Sequence, residues 1–428
     1  MALSTKPYKG ARDFYPEDKR LQKYLFNTWR EVVESYGYEE YDAPIIEPLE
    51  IYLAKSGSEI VDEQTYNFTD RGKREIAIRP EMTPSVSRLV AAKRQELVYP
   101  LRLYSIPNLW RYERPQRGRL REHWQLNVDI FGVQDIQAEY ELINLVDDIF
   151  KAFKADDTMY EIRINHRSLV DDVLINYLNL DSQQVYAVSK LIDRMHKISK
   201  LDFIKQLDLV LSDDHKTRLT NEKLLSFLEA RSLEDLPDFL KQQQSFKQLS
   251  TLMQTLNKTN VKFDPTIMRG FDYYSGIIFE VVDLNPDNNR SMMGGGRYDG
   301  LVGLFGVAPV PTVGFGWGDV TLTNFLEANH LMPKFSPEAD VYVALIGDVF
   351  FKAQPVLQGL RQAGIKVAVD LSQKKLGEQL KHADKKQLSR VLIIGETEIA
   401  SAKYKLKDLN SGKEVNFTLQ KIIEYLKK

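Results

Sequence analysis

Cysteine is absent from this chain of 428 residues, which excludes disulfides and thiolate metal sites and fits a reducing, cytoplasmic setting. The six histidines are scattered and show none of the spacings of a metal-ligand set. No apolar run approaches the roughly 20 residues needed to cross a bilayer. The first twenty residues, MALSTKPYKGARDFYPEDKR, contain no apolar core segment, so no secretory signal is expected. What remains is a chain of 43% hydrophobic and 28% charged residues, ordinary for a globular protein. Its length allows two to four domains, each with its own core.

The net charge of −2 hides two basic zones. Residues 71–122 carry 13 Lys or Arg against 5 Asp or Glu, a local balance of +8. Residues 401–428 carry 7 Lys against 3 Asp or Glu, a balance of +4. Charge runs are often only solvated faces, but two such zones on a near-neutral chain point to a polyanion touched at two places. Inside the first zone, the stretch from Leu109 to Gly132 alternates at both ends. Arg111 and Glu113 share one face and Trp110 and Tyr112 the other. Further on, Trp124, Leu126, Val128 and Ile130 point one way and Gln125, Asn127 and Asp129 the other. A period of two marks half-buried strands. Between them, Arg114–Arg121 holds four arginines, a proline and a glycine, so the stretch reads as an antiparallel hairpin with a basic tip.

Elsewhere, apolar spacing at Leu21, Leu25, Trp29, Val32, Val33 and Tyr36 predicts a helix over 17–36, ended by Gly37. A strand over 39–46, broken by Pro44, belongs at an edge or interface. Residues 65–68 and 74–78 read as a hairpin, and Thr83 as the N-cap of a helix with Pro84 in its first turn. An amphipathic helix covers 138–154. From His166 to Val261 the chain has no glycine and one proline and is helical by pattern, an inserted module. Residues 277–282 form a strong β run, and Gly294–Gly300 reads as a tight glycine-rich turn. Glycines 314, 316 and 318 occupy alternate positions of a strand over 311–319, which suits close sheet packing or ligand approach equally. After a linker at 331–338, strands (341–346, 366–370, 391–394) alternate with helices (352–363, 376–386). A hairpin and a C-terminal helix follow, giving a small, largely parallel α/β domain.

Several short strings occur together in order: Tyr36-Gly-Tyr-Glu-Glu-Tyr-Asp-Ala-Pro44, Arg79-Pro-Glu-Met-Thr83, Trp110-Arg-Tyr-Glu113, Arg269-Gly-Phe-Asp-Tyr-Tyr274 and Gly294-Gly-Gly-Arg-Tyr-Asp299. In this combination the chain resembles the class II aminoacyl-tRNA synthetases, and within them the histidyl-tRNA synthetases, over nearly its whole length. The resemblance implies an α+β catalytic domain built on the antiparallel class II sheet (1–165 and 262–330). It adds a helical insertion (166–261) and a C-terminal α/β anticodon-binding domain (338–428). It implies an aminoacyl-tRNA ligase that joins L-histidine to ATP as histidyl-adenylate, releasing pyrophosphate, and then passes histidine to the 3′ end of tRNA(His). A homodimer with Pro44 near its interface, no membrane, and Mg2+ accompanying ATP belong to the same expectation; metal sites on the protein are left open.

By the same resemblance Arg111 holds the α-phosphate and the histidine carboxylate. Arg269, also counted among the histidine-binding residues, approaches the same phosphate from the opposite side, a task suited to the permanently charged guanidinium fork. A structural salt bridge from Arg269 to Asp272 is the plainer alternative. Glu81, Thr83 and Gln125 match the ammonium contacts of histidine, Asp129 and Tyr274 its imidazole contacts, and Tyr273 and Met82 the pocket around them. Glu113, Arg121 and His123 join Arg111 around ATP, while Arg114, Gln116 and Arg119 face the tRNA acceptor end. Three departures stand out. Asp129 replaces the family's usual Glu, and His123 stands where a Phe stacks on adenine. Thr321, in Gly318-Asp-Val-Thr-Leu322, replaces an ATP-binding arginine, a variation similar to the plastid type. ATP phosphates then fall to another cation, Arg114 or Arg121, or to magnesium. Two rival readings are a non-catalytic histidine-binding paralogue that regulates histidine biosynthesis and a sister synthetase for another amino acid. The retained arginines and C-terminal domain speak against the first, and Tyr273–Tyr274 against the second.

Overall fold

Ten residues of alternating character, Glu122–Phe131, form the longest described strand of a nine-stranded sheet. The computed structural model describes residues 3–53, 64–195, 198–211, 215–268, 273–288 and 290–427, without the side chains of 215–219. The chain divides into two compact units, Met1–Met332 and Pro333–Lys428.

The strands of the first unit are β1 (Glu39–Glu40), β2 (Ile46–Pro48), β3 (Tyr66–Thr69), β4 (Glu75–Ile78), β5 (Leu101–Ser105), β6 (Asn108–Trp110), β7 (Glu122–Phe131), β8 (Tyr160–His166), β9 (Val261–Phe263), β10 (Ile277–Asp283), β11 (Ser291–Arg297) and β12 (Thr312–Gly318). The large sheet runs β1-β5-β7-β12-β11-β10-β8-β9, with β6 also on β7. Only its two edge pairs, β1–β5 and β8–β9, are parallel. Alternation decides which face is dry. Leu126, Val128 and Ile130 enter the apolar core with Leu25, Trp29 and Val33 of the helix Pro16–Ser35. Each such side chain contributes roughly 1.5–3 kcal/mol by leaving water. Gln125, Asn127 and Asp129 turn to the opposite face, where they line a cavity.

Three local expectations change. The strand foreseen over 39–46 splits at the Pro44 region into β1 and β2, and β2 joins a separate three-stranded sheet, β2-β4-β3. Buried Arg79 holds the break, Nη1 donating to Asp42 Oδ1 at 2.9 Å and to the Ala43 carbonyl at 2.6 Å. Residues 294–297 are strand rather than turn, because their small size is used between strands: a Cβ on Gly295 would lie 2.3 Å from the Gly314 carbonyl oxygen. Thr83 is the first residue of the helix Thr83–Ala92 rather than its cap, with Met82 at the cap position. Its side chain hydrogen-bonds with Tyr273 instead.

The chain leaves the sheet at β8 and returns at β9 after a helical excursion that includes Ser182–Asp193, Lys200–Leu211 and Gln244–Leu256. Leu191, Phe203, Leu207 and Leu249 join the same apolar core as the sheet. The return is pinned at buried Asp147, which accepts from Lys258 at 2.5 Å, Lys151 at 2.6 Å and Asn260 at 3.1 Å. A buried carboxylate with this many donors is compensated for its lost hydration.

The second unit holds β13 (Val341–Leu345), β14 (Val367–Val369), β15 (Arg390–Ile394), β16 (Tyr404–Asp408) and β17 (Glu414–Phe417) in the order β14-β13-β15-β16-β17. The first three are mutually parallel, as the strand–helix alternation predicts. Val341, Val343, Leu392 and Ile394 fill one apolar core, and Tyr342, Ala344, Val391 and Ile393 the other, so both faces are covered. A short helix, Glu396–Ser401, precedes the antiparallel pair and was not anticipated.

Candidate active site

A cavity of about 2120 Å³ opens above β7 and β12. One end is built around Asp129, which is buried on β7. Gly314 sits directly opposite in register, and a Cβ there would stand 2.0 Å from Asp129 Oδ1. At Gly316 a Cβ would meet Gln125 Cδ at 2.9 Å. The alternate glycines therefore give space in which the polar side chains of the neighbouring strand lie. Tyr298 donates a hydrogen bond to Asp129 Oδ1. Burial pushes the Asp129 carboxyl up to about 7, against the opposing pull of Tyr298. Beside it, the Tyr273 hydroxyl donates to Glu81 Oε2 at 3.3 Å, and Glu81 is itself buried. The rings of Tyr273, Tyr274 and Tyr298 cluster with centroids 4.9 to 6.5 Å apart. Burial, and then nearby carboxylates, raise the phenols of Tyr273 and Tyr298 well above their usual range, so both remain donors. This end combines two carboxylates with phenols in a narrow slot, a donor and acceptor set suited to an ammonium and an imidazole.

Arg111 donates through Nε to the Pro80 carbonyl, next to Glu81 in the chain, at 2.9 Å. That bond engages one of the five guanidinium N–H donors. His123 lines the wall, while Trp124 packs edge-on against Phe14 at 5.2 Å, as strand alternation predicts. Burial, followed by the charges of Arg111 and Arg12, pushes the His123 imidazole down to about 3, so the ring is neutral at physiological pH. The strand is braced from behind: buried Asp319 accepts from the Trp124 backbone N–H at 3.0 Å and pairs with Arg12 at 2.8 Å. Thr321 lines the same wall, its hydroxyl facing the carbonyls of Met292 and Gly318 at 2.7 and 2.9 Å.

The cavity wall thus gathers Glu81, Thr83, Gln125, Asp129, Tyr273 and Tyr274 with Arg111, Glu113, Arg119 and His123. Arg114, Gln116 and Met82 are not on its wall; Met82 is wholly buried. Gln116 bridges to Arg119 within the basic loop. Arg121 is drawn elsewhere. Its guanidinium lies 3.9 Å over the Tyr112 ring, and Nη1 donates to the Tyr8 hydroxyl at 2.9 Å. Arg269 and Asp272 lie outside the described residues, so neither the phosphate role nor the salt bridge has a geometry here. Of the cavity residues not foreseen, two bear on the chemistry. Tyr298 stood inside the Gly294–Asp299 string, where its strand position was the signal. For Arg290 the sequence carried no signal.

A family model described as Histidyl-tRNA synthetase matches residues 10–318, and one described as Anticodon binding domain matches 340–428. A histidine–tRNA ligase of Leptospira biflexa is 46% identical, spanning 100% of this chain and 99% of the relative. The chloroplastic/mitochondrial histidine–tRNA ligase of Arabidopsis thaliana is 36% identical over 97% of this chain and 86% of its own length. Among solved structures, a histidyl-tRNA synthetase from Nostoc sp. superposes with a TM-score of 0.82 at 25% identity, covering 100% of this chain and 99% of that one. Full-length relatives named as ligases, with the C-terminal domain matched, do not favour the regulatory paralogue. The chain belongs to the histidyl-tRNA synthetase family, the aminoacyl-tRNA ligases that join histidine to its tRNA.

Proposed function

We propose that the cavity binds histidine at the Asp129 end and ATP at the His123 end, so that the two meet at Arg111. An oxygen of the histidine carboxylate attacks the α-phosphorus, the bond to the bridging oxygen breaks, and pyrophosphate leaves. The adenylate carbonyl is then attacked by a hydroxyl at the 3′ end of the tRNA, and AMP leaves. The substrates bring their own nucleophiles, so the protein's work is positioning and charge stabilisation. Glu81, Thr83 and Gln125 receive the ammonium; Asp129, Tyr274 and Tyr273 enclose the imidazole; Met82 supports the Glu81–Thr83 segment from the core. Arg111 holds the α-phosphate and the histidine carboxylate, and Arg269 shares the phosphate. The neutral His123 ring stacks on adenine, and Glu113 borders the nucleotide. The observation that carries this reading is Asp129, buried beneath a row of glycines and held by Tyr298.

Arg114, Gln116 and Arg119, on the exposed basic loop, meet the acceptor end of tRNA(His), mainly through phosphate. Among the described residues no three His, Asp or Glu side chains converge as a metal cage. Mg2+ accompanying ATP would be held by the triphosphate, with Glu113 as the carboxylate of this chain that would approach it, and would help neutralise the phosphate charge. The functional divisions are catalytic (1–165 and 262–330), insertion (166–261) and anticodon-binding (338–428). The break between units at Met332 and Pro333, and the pairing of β8 with β9 around the excursion, support them. A cytoplasmic homodimer completes the proposal, supported by the absence of cysteine and by exposed apolar side chains near Pro44.

Exchange of labelled pyrophosphate into ATP, run with each of the twenty amino acids, tests the assignment. Exchange with histidine alone is expected. Exchange with another amino acid instead, or none at all, overturns it.

A further inference from the structure

We infer that Arg290 supplies the cation for the ATP β- and γ-phosphates that Thr321 does not, an inference resting on the placement of ATP proposed above. Thr321 is too short and uncharged to reach a triphosphate, and its hydroxyl already faces two backbone carbonyls. One of those carbonyls belongs to Met292, two residues along the chain from Arg290. Arg290 also comes near the helix that carries Thr321 at Gly118 in the basic loop. A Cβ built there would be 2.7 Å from Arg290 Nη1 and 3.7 Å from Asn324 Nδ2. Asn324 is three residues after Thr321 on the helix Asp319–Ala328, so it lies on the same face. The Arg290 guanidinium therefore stands beside the helix face from which the family's arginine would project.

The cations of the basic loop that could serve instead are committed or off the wall. Arg121 lies against Tyr112 and Tyr8, Arg114 is off the cavity wall, and Arg119 faces Glu113 at 3.8 Å. Arg290 is on the wall, its Nε buried and without a hydrogen-bond partner among the described residues. Its Nη1 donates to the Arg117 carbonyl, and Arg117 Nη1 in turn donates to the Asp287 carbonyl at 3.1 Å. Two side chain-to-backbone bonds thus tie the basic loop to the segment before β11, and they hold the guanidinium over the ATP end of the cavity. An arginine retains donors for phosphate while keeping such a tether, which a lysine does less well. Gly118, with φ +79°, keeps the space between them open.

The test is Arg290→Gln in the full-length protein, because glutamine retains an N–H for the Arg117 carbonyl and removes the charge. In pyrophosphate exchange the KM for ATP should rise roughly ten- to a hundredfold, the cost of a charged hydrogen bond. The KM for histidine and the melting temperature should stay at wild-type values. Arg290→Lys should fall between, and adding Thr321→Arg to R290Q should restore the KM for ATP by returning a guanidinium to the helix. An unchanged KM for ATP in R290Q, or an equal rise in both KM values, overturns the inference. Histidine-dependent exchange by the wild-type protein tests the underlying placement separately, so the two failures are distinguishable.

Discussion

The hydroxyl of Tyr298 donates to the carboxylate of Asp129 across 169 residues of sequence, and both side chains are buried at the end of the cavity. This bond occupies one carboxylate oxygen and aims the other. It also supplies what a shorter acid needs where the family usually has glutamate: a fixed orientation in place of reach.

Tyr298→Phe should therefore weaken histidine recognition with little change elsewhere. Removing a hydrogen bond to a charged group costs about 1.5–3 kcal/mol, so the KM for histidine should rise roughly ten- to a hundredfold. The KM for ATP should not move, because Tyr298 is at the opposite end from His123. Steady-state exchange with each substrate varied in turn gives both values. An unaltered KM for histidine would show that Tyr298 does not orient Asp129.

The raised pKa of Asp129 makes a claim about stability. Its folded value is pushed up to about 7 by burial, against about 3.9 in an unfolded chain. The folded state thus binds the proton more tightly than the unfolded state. The stability this contributes is complete below about pH 4 and is lost as pH rises to about 7. Asp129→Asn does not titrate. The melting temperature of this variant relative to wild type should climb between about pH 4 and 7 and then level off. Scanning calorimetry of both proteins over that range decides it, and a difference that is flat or falls with pH contradicts the assignment.

Gly314→Ala should damage both fold and site. Its Cβ would be 2.0 Å from Asp129 Oδ1 and 2.8 Å from the Val128 carbonyl oxygen, and a backbone atom in a paired strand does not yield easily. Overpacking of this kind costs about 1–3 kcal/mol. Displacing Asp129 should also abolish measurable histidine binding by calorimetry. Gly300→Ala, where a Cβ meets nothing within 4 Å, is the control and should leave both unchanged. Equal behaviour of the two variants would mean that the glycine row is not what positions Asp129.

What was legible in the sequence was what local periodicity encodes. Alternation along residues 122–131 placed His123 and Asp129 on one face and Trp124 and Val128 on the other, and the structure puts the first two on the cavity wall and Val128 in the core. Glycine was ambiguous because one property serves two ends. Permissive backbone angles made Gly294–Gly296 read as a turn, whereas the strand uses their lack of a side chain. The remaining differences depend on partners far along the chain. Nothing near Arg121 announces that its guanidinium will lie against Tyr8 and Tyr112. Nothing near Arg290 announces that it will meet Arg117. Thr83 illustrates the same limit, since its capping role gives way to a hydrogen bond with Tyr273.

The apolar surface around Pro44 carries the last prediction. Ile45 and Ile46 are 54% and 48% exposed, and Leu53 and Phe68 are 55% and 45% exposed. Ile46 and Phe68 lie in the small sheet β2-β4-β3, and Leu53 closes the helix Glu50–Leu53 that follows β2. Ile46 and Phe68, set in register against Ile78 and Ile76 of β4, make an exposed apolar pair on one sheet face, which suits an interface. If two copies cover it, light scattering should give a particle of twice the 49.5 kDa chain mass. Ile46→Glu should halve that mass, because a carboxylate buried between two copies without a partner is strongly disfavoured. The substituted side chain is exposed in the single chain, so melting at low protein concentration should change little. A wild-type protein of 49.5 kDa, or an I46E variant that keeps the doubled mass, would remove this surface from the dimer interface.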